Sequence, residues 1–457
     1  MFEFGRELKR LFDADPPRDG LTGGDASLLE LLELNLLCAE ARAADIAAGR
    51  ISAKNRPERQ LEAAIVWREL ARRTGDAVAL RKAAAAAETS AMGYGRDARP
   101  LGWARARGEQ ARAALLGAAL YGDQSLNTAA EFALAEVQKA AANSPAAAVT
   151  GAALALVEAR KVIGRGDRDV VVEVARQFDG PIASLRIHGR RRAASRLLAA
   201  EASADRADLL AAGGVRLKDP MLLRMALDGV GQALSRLDPA YEPVTWAVLA
   251  TLGATTRAAL GELEGDVTEV AAAVNELVAV LGHVAKDHSP LDWAHAQQAL
   301  AGVLQILGEA TDCDRALDQA AGCYERAMTV FAGQSALVGA AVTMHNRAQC
   351  LARRAELRGD LTALAEVELD LRADLAASNA AGDPVAWGVR QLNFARVYEA
   401  RANIGGFDPA GHNAAAEALT AALEVFGEHG QRDLADTAAT GLARLKTISS
   451  RLRIRGE

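Results

Sequence analysis

The sequence predicts an all-α protein, an α-solenoid of stacked antiparallel helix pairs. Three observations carry that prediction. A phrase recurs as Pro100-Leu101-Gly102-Trp103-Ala104, Pro243-Val244-Thr245-Trp246-Ala247, Pro290-Leu291-Asp292-Trp293-Ala294 and Pro384-Val385-Ala386-Trp387-Gly388. Its tryptophans, Trp103, Trp246, Trp293 and Trp387, are spaced by 143, 47 and 94 residues, close to three, one and two periods of 47. A Gly-Asp pair follows in phase, as Gly122-Asp123 after Trp103 and Gly265-Asp266 after Trp246. A fixed period of this length marks a stacked array, which grows in one dimension without a single central core.

Each part of the phrase has a physical role. Proline is preorganised for the first turn of a helix, where its missing N–H costs nothing. Tryptophan on that turn offers a flat surface to wedge against a neighbouring helix. The small residue after it lets backbones approach. Glycine then ends the helix in the left-handed conformation and Asp caps the next one. Gly75-Asp76, Gly166-Asp167 and Gly359-Asp360 supply further copies, with Asp312 in the slot that belongs to Trp293. Each unit therefore reads as a helix of about five turns, a tight turn, a second helix and a short loop.

Composition agrees. Hydrophobic residues make up 50% of the 457 but aromatics only 4%, so the apolar content is largely Ala, Leu and Val, residues that suit closely packed helices. The net charge of −6 argues against wholesale nucleic-acid binding. Cys38, Cys313, Cys323 and Cys350 form no CxxC pair, which favours mostly buried, reduced thiols over a disulfide framework or zinc knuckle. The sequence has no 18-residue apolar run and no signal-peptide core at its start, so a cytoplasmic location is expected.

Taken in order, residues 1–12 read as an amphipathic helix with Phe4, Leu8, Leu11 and Phe12 on one face. Residues 13–24 read as a linker, with Pro16-Pro17 and three glycines. The helix has three alternatives: it docks on a partner, grazes an acidic membrane, or folds back on the first repeat. Self-association through it is also open. N-terminal repeats are expected over 25–178, beginning with a single helix from Ala26 to about Ala48. Residues 179–239 form an irregular helical segment in which Gly213-Gly214 falls about one period beyond Gly166. Clean repeats follow over 240–430, with Ala340 where one tryptophan would stand. A capping helix and basic tail occupy 431–457.

The phrase at 290–294, continued by Gln297, Leu300, Leu304, Leu307-Gly308-Glu309, Ala320, Tyr324 and Ala327, resembles bacterial tetratricopeptide-type repeats of a long, tryptophan-bearing variety. The resemblance covers 240–430 and, more loosely, 56–165. It implies a right-handed superhelix of antiparallel helix pairs that binds other proteins.

Enzyme signatures are absent from the sequence: there is no Walker loop, dinucleotide glycine fingerprint, His-Glu-x-x-His or Gly-x-Ser-x-Gly. No cofactor and no metal is expected. His283, His288 and His295 fall close together, but across a loop and two helices, and His288 reads as turn chemistry before Pro290. The most pointed charge feature is Arg186, Arg190, Arg191, Arg192 and Arg196, with no acid between Asp179 and Glu201. Arginine forks bind carboxylate or phosphate bidentately, so these five are the candidate partner-binding residues. The competing reading pairs them with acids of neighbouring units, Glu201 and Asp205 being the nearest in sequence. Glu366, Glu368, Asp370 and Asp374 read as solvated surface. The leading functional expectation is a non-catalytic scaffold or adaptor holding another protein or peptide in a concave groove. The alternative is a regulatory sensor that binds a small or phosphate-bearing ligand near Arg186–Arg196. An all-helical enzyme would need acidic metal clusters that the sequence lacks.

Overall fold

The computed structural model describes residues 26–50, 55–141, 145–189, 193–334, 336–377, 384–406, 408–429 and 432–455. The amphipathic stretch with Phe4, Leu8, Leu11 and Phe12, its linker, and Arg190, Arg191 and Arg192 lie outside these residues. Among the described residues all regular structure is helical. Successive helices form antiparallel hairpins, as the repeat predicts.

The chain opens with a 3-10 segment, Ala26–Leu31, followed by α1, Leu34–Gly49. The single helix expected from Ala26 to Ala48 is therefore broken, and Arg73 supplies the reason. Its guanidinium is fully buried and donates from Nη1 to the Leu32 carbonyl at 2.7 Å and from Nη2 to that of Leu29. The Leu32 carbonyl is thereby withdrawn from the α-helical ladder, and that of Leu29 keeps only a 3-10 bond from the Leu32 N–H at 3.1 Å beside the arginine.

Hairpins follow as α2 (Arg56–Thr74) with α3 (Ala77–Tyr94), α4 (Pro100–Tyr121) with α5 (Gln124–Ala140), and α6 (Pro145–Val162) with α7 (Arg168–Gln177). The irregular stretch holds α8 (Asp179–Gly189), α9 (Ala193–Leu217) and α10 (Pro220–Leu234). Regularity returns with α11 (Pro243–Glu264), α12 (Val267–His283), α13 (Pro290–Thr311), α14 (Asp314–Gly333), α15 (Leu337–Arg358), α16 (Leu361–Ala377), α17 (Pro384–Gly405), α18 (Pro409–Glu428) and α19 (Arg432–Arg455). Helices α4, α11, α13, α15 and α17 are each 22 residues long. The last four begin at 243, 290, 337 and 384, a constant step of 47.

The turns repeat as closely. Gly75, Gly122, Gly265 and Gly359 have φ between 66° and 75°. The Asp that follows each accepts from the N–H two residues on: Asp76 from Val78 at 2.7 Å, Asp123 from Ser125 at 2.9 Å, Asp266 from Thr268 at 2.9 Å, and Asp360 from Thr362 at 3.1 Å. Asp312 does something else. It occupies the glycine position, with φ 50°, and α14 begins two residues later. Asp is among the few non-glycine residues that tolerate this conformation.

The expectation for Gly213-Gly214 needs correction. Both lie inside α9, buried, where an added Cβ at Gly214 would come within 2.8 Å of Leu223. They let α10 approach α9, and Lys218, with φ 52°, makes the turn instead.

Trp103 is buried in one cluster with Tyr94, whereas Trp246 and Trp293 are half-buried in another around Ala247, Val280, Val284 and Ala296. Trp387 is half-buried. The small residue after each is buried: Ala104, Ala247, Ala294 and Gly388, where a Cβ would meet the Phe426 ring at 2.8 Å. Cations lie over two of the rings, Arg96 over Trp103 at 5.1 Å and Lys286 over Trp293 at 5.7 Å.

Two compact units emerge. The first comprises 1–260, 275–296 and 329–339; the second comprises 261–274, 297–328 and 340–457. In the second, ion pairs tie one hairpin to the next: Arg354 with Asp318 at 3.0 Å, Arg358 with Asp314 at 3.1 Å, Arg396 with Glu356 at 2.6 Å and Arg401 with Glu368 at 2.7 Å. Arg390 pairs with Asp374. Glu368 and Asp374 are thus inter-helix partners and not the solvated surface expected from the sequence.

Candidate binding hollow and arginine recess

The first unit is closed by contacts between residues far apart in sequence. On α2, Glu69 receives Arg72 on both carboxylate oxygens, at 2.8 and 2.9 Å, and Arg73 at 2.8 Å. Burial pulls the Glu69 carboxyl upward, but Arg72 and Arg73 outweigh it and hold the group far below the usual carboxylate range. Arg72 also reaches Asp292 in the first turn of α13 at 3.0 Å. Glu30, in the 3-10 segment, accepts from the Val244 and Thr245 N–H groups at 3.0 and 3.1 Å and from the Thr245 hydroxyl. It therefore caps α11 from 214 residues away. Burial pushes the Glu30 carboxyl up to about 7, against the opposing Thr245 bond. His288 Nε2 sits 2.7 Å from the Glu30 carbonyl, to which it donates.

Behind this closure lies a hollow to which α2, α4, α6, α9 and α11 each contribute a face. Its adjoining lobes have volumes of about 80 and 280 Å³. Alanines form much of the floor: Ala119, Ala152, Ala153, Ala202 and Ala204. Charges line it in pairs: Arg68 meets Glu109, and Arg112 meets Glu201 at 2.6 Å. Arg160 donates to the Leu115 carbonyl at 3.0 Å and to Asn127 at 2.7 Å. Asp205 stands apart. Among the described residues it accepts no hydrogen bond, and withdrawal from water, followed by Glu201 and Asp208, pushes its carboxyl up to about 7 against Arg160 and Arg112. Such a surface offers prepaired charges, a shallow apolar floor and one half-buried carboxyl without a hydrogen bond from any described residue.

The predicted arginine cluster is dispersed in part. Arg196 pairs with Glu242, whose side chain is almost wholly buried, and not with Glu201 or Asp205. Those two acids face Arg112 and Arg160 instead. Arg186 and Arg196 nevertheless line one recess, joined by Arg236 from the end of α10. Burial lowers the Arg186 pKa first, and the like charges of Arg236 and Arg206 lower it further.

The three histidines do not gather. His283 meets the Trp246 ring edge-on at 4.9 Å, His288 holds the Glu30 carbonyl, and His295 lies 5.0 Å from the Phe331 ring. Among the described residues no group of three His, Cys, Asp or Glu side chains is placed to hold a metal. No described helix is long and apolar enough to cross a membrane.

Sequence reasoning missed Arg72, Arg112, Arg160 and Arg236, and it named Asp205 only as a partner for the Arg186–Arg196 cluster. All but Arg236, which lies in the turn after α10, sit on helices where charge is unremarkable, and only the folded spacing brings them together. The one available signal was Asp292 inside the recurring phrase, at a slot held elsewhere by Gly102, Thr245 and Ala386.

No protein-family model matches the chain, and no curated protein is significantly similar in sequence. Solved structures of helical-repeat architecture are similar to it. A Rap protein complexed with competence and sporulation factor is 12% identical, with 87% of this chain and 99% of that one covered and a TM-score of 0.48. A human IFIT1 dimer with PPP-AAAA is 11% identical, with 93% and 94% covered and a TM-score of 0.39. A circular tandem repeat protein with novel repeat topology is 17% identical, with 94% and 98% covered and a TM-score of 0.26. The fold rests on the chain's own hairpins and not on these likenesses.

Proposed function

We propose that the chain is a non-catalytic binding protein whose first unit holds an extended polypeptide segment in the hollow lined by α2, α4, α6, α9 and α11. The observation that carries this reading is Asp205: a half-buried carboxyl that accepts no hydrogen bond from any described residue, in a hollow where Arg68 and Arg112 already have carboxylate partners. A Lys or Arg side chain of a bound peptide would satisfy it, and the alanine floor leaves room for a backbone to lie close. Arg112 and Arg160 then frame the site, held in place by Glu201, Leu115 and Asn127. The membrane and self-association roles of residues 1–12 form no part of this reading.

The experiment is a selection from a random peptide library on the whole protein, followed by affinity measurement on Asp205→Asn and Ala152→Trp, the latter filling the floor. The expected result is enrichment of peptides with a basic residue and at least tenfold weaker binding to both variants, in line with loss of a charge-assisted hydrogen bond. Failure to enrich any peptide, or equal affinity for wild type and both variants, overturns the proposal.

A further inference from the structure

The recess beside α8 is a different site with different chemistry. It encloses about 240 Å³ and is lined by Arg186, Gly189, Arg196, Ser203, Arg236 and Leu237 among others. This lies below the range usual for drug-sized ligands, so the recess suits a small occupant. Its construction is local. An added Cβ at Gly189 would come within 3.2 Å of the Arg196 backbone, so glycine lets the end of α8 cross α9 closely and sets Arg186 beside Arg196. Helix α10 ends at Leu234 and brings Arg236 to the same wall.

The charges do not balance. Glu242 answers Arg196. Asp179, which acts on Arg186 through space, is paired with Arg206 at 3.1 Å. Among the described residues neither Arg186 nor Arg236 forms an ion pair, and the buried Nε of Arg196 has no hydrogen-bond partner. Three guanidiniums against one carboxylate leave an excess of two positive charges. Like charges held together in a partly desolvated recess are unfavourable until an anion joins them.

We infer that this recess binds the phosphoryl dianion of a small phosphate-bearing compound, with Arg186, Arg196 and Arg236 donating to its oxygens. A phosphomonoester carries close to two negative charges at neutral pH and three acceptor oxygens, which matches both the surplus and the number of donors. The occupant is distinct from the peptide of the hollow, because none of the three arginines lines that hollow.

Calorimetric titration of the whole protein with inorganic phosphate and, separately, glycerol 3-phosphate tests the inference. One saturable site is expected at pH 7.5. Its affinity should fall as the pH drops towards 5.5 and the dianion takes up a proton, whose pKa is about 6. Arg236→Gln, at an exposed position with no ion-pair partner among the described residues, should weaken binding at least tenfold, as should Arg186→Gln. Arg176→Gln, on the surface of α7, should leave it unchanged. Tighter binding of the ester identifies an organic phosphate as the natural occupant, and tighter binding of the inorganic ion identifies free phosphate. No saturable binding of either probe overturns the inference, as does wild-type affinity in both Arg186→Gln and Arg236→Gln. Asp205→Asn should not alter this titration, so failure of the peptide reading and failure here can be told apart.

Discussion

Arg72 and Asp292 meet at 3.0 Å although 220 residues separate them in sequence. A stack in which each hairpin touches only its neighbours would not bring α2 to the start of α13. Within the first unit the chain instead returns to its own beginning, and the pieces that make the return are charged and mostly withdrawn from solvent.

Arg73 carries much of that junction. Replacing it with Ala leaves Glu69 with one partner fewer, the Leu32 carbonyl without a donor, and the Leu29 carbonyl with only the Leu32 N–H. Breaking a buried pair from one side costs about 3–5 kcal/mol. Urea denaturation of Arg73→Ala should show a loss of that order, and hydrogen exchange should speed up first over residues 26–49.

Stability should depend on pH through Asp205 and Glu30. Both carboxyls are raised to about 7 in the folded protein, from ordinary values of 3.8 and 4.5. Between about pH 4 and 7 the folded state keeps protons that the unfolded chain has released. These two groups therefore make stability fall as pH rises through that window, with no further change above it. His288, His295 and His345, whose pKa values burial lowers, act in the opposite sense, so the signature lies in the comparison: the change in melting temperature from pH 5 to 7.5 should be more positive in Asp205→Asn than in the wild type.

The turns offer a matched pair of substitutions. Gly265 has φ 73° and open space around its missing Cβ, so Gly265→Ala isolates the backbone cost, about 1 kcal/mol. Asp312 carries the opposite opportunity. Asp312→Gly removes the left-handed strain and an exposed pair with Arg353 worth little, so a gain of a few tenths to about 1 kcal/mol is expected in thermal unfolding.

Thiol reactivity should separate the four cysteines. Cys313 is exposed, Cys38 is half-buried, and Cys323 and Cys350 are buried. Burial pushes the Cys350 thiol up to about 12, and its Sγ contacts the Leu317 carbonyl. At neutral pH one thiol should react rapidly with a disulfide reagent, and Cys313→Ser should abolish that phase. Reaction of Cys350 before unfolding would contradict the described packing.

The hairpin architecture was legible because its signals are local. Proline at a helix start, glycine at a left-handed turn and Asp as a cap act within a few residues, so they survive in a single sequence. Gly213-Gly214 misled because a buried glycine that admits a neighbouring helix looks the same in sequence as one that ends a helix. The hollow was illegible for a different reason. Asp205 and Arg160 are 45 residues apart, and Arg72 and Asp292 farther still, so no spacing rule announces them. Arg186 and Arg196 were found by the lack of nearby acids, whereas Arg236 required the fold.

Glu30 seals the first turn of α11, so a residue made early in synthesis waits for one made much later. Until Thr245 has left the ribosome, that carboxylate has nothing to hold, and the 3-10 segment can dock on α2 alone. Trimming the chain ahead of residue 34 would thus leave its mark on a helix more than two hundred positions downstream.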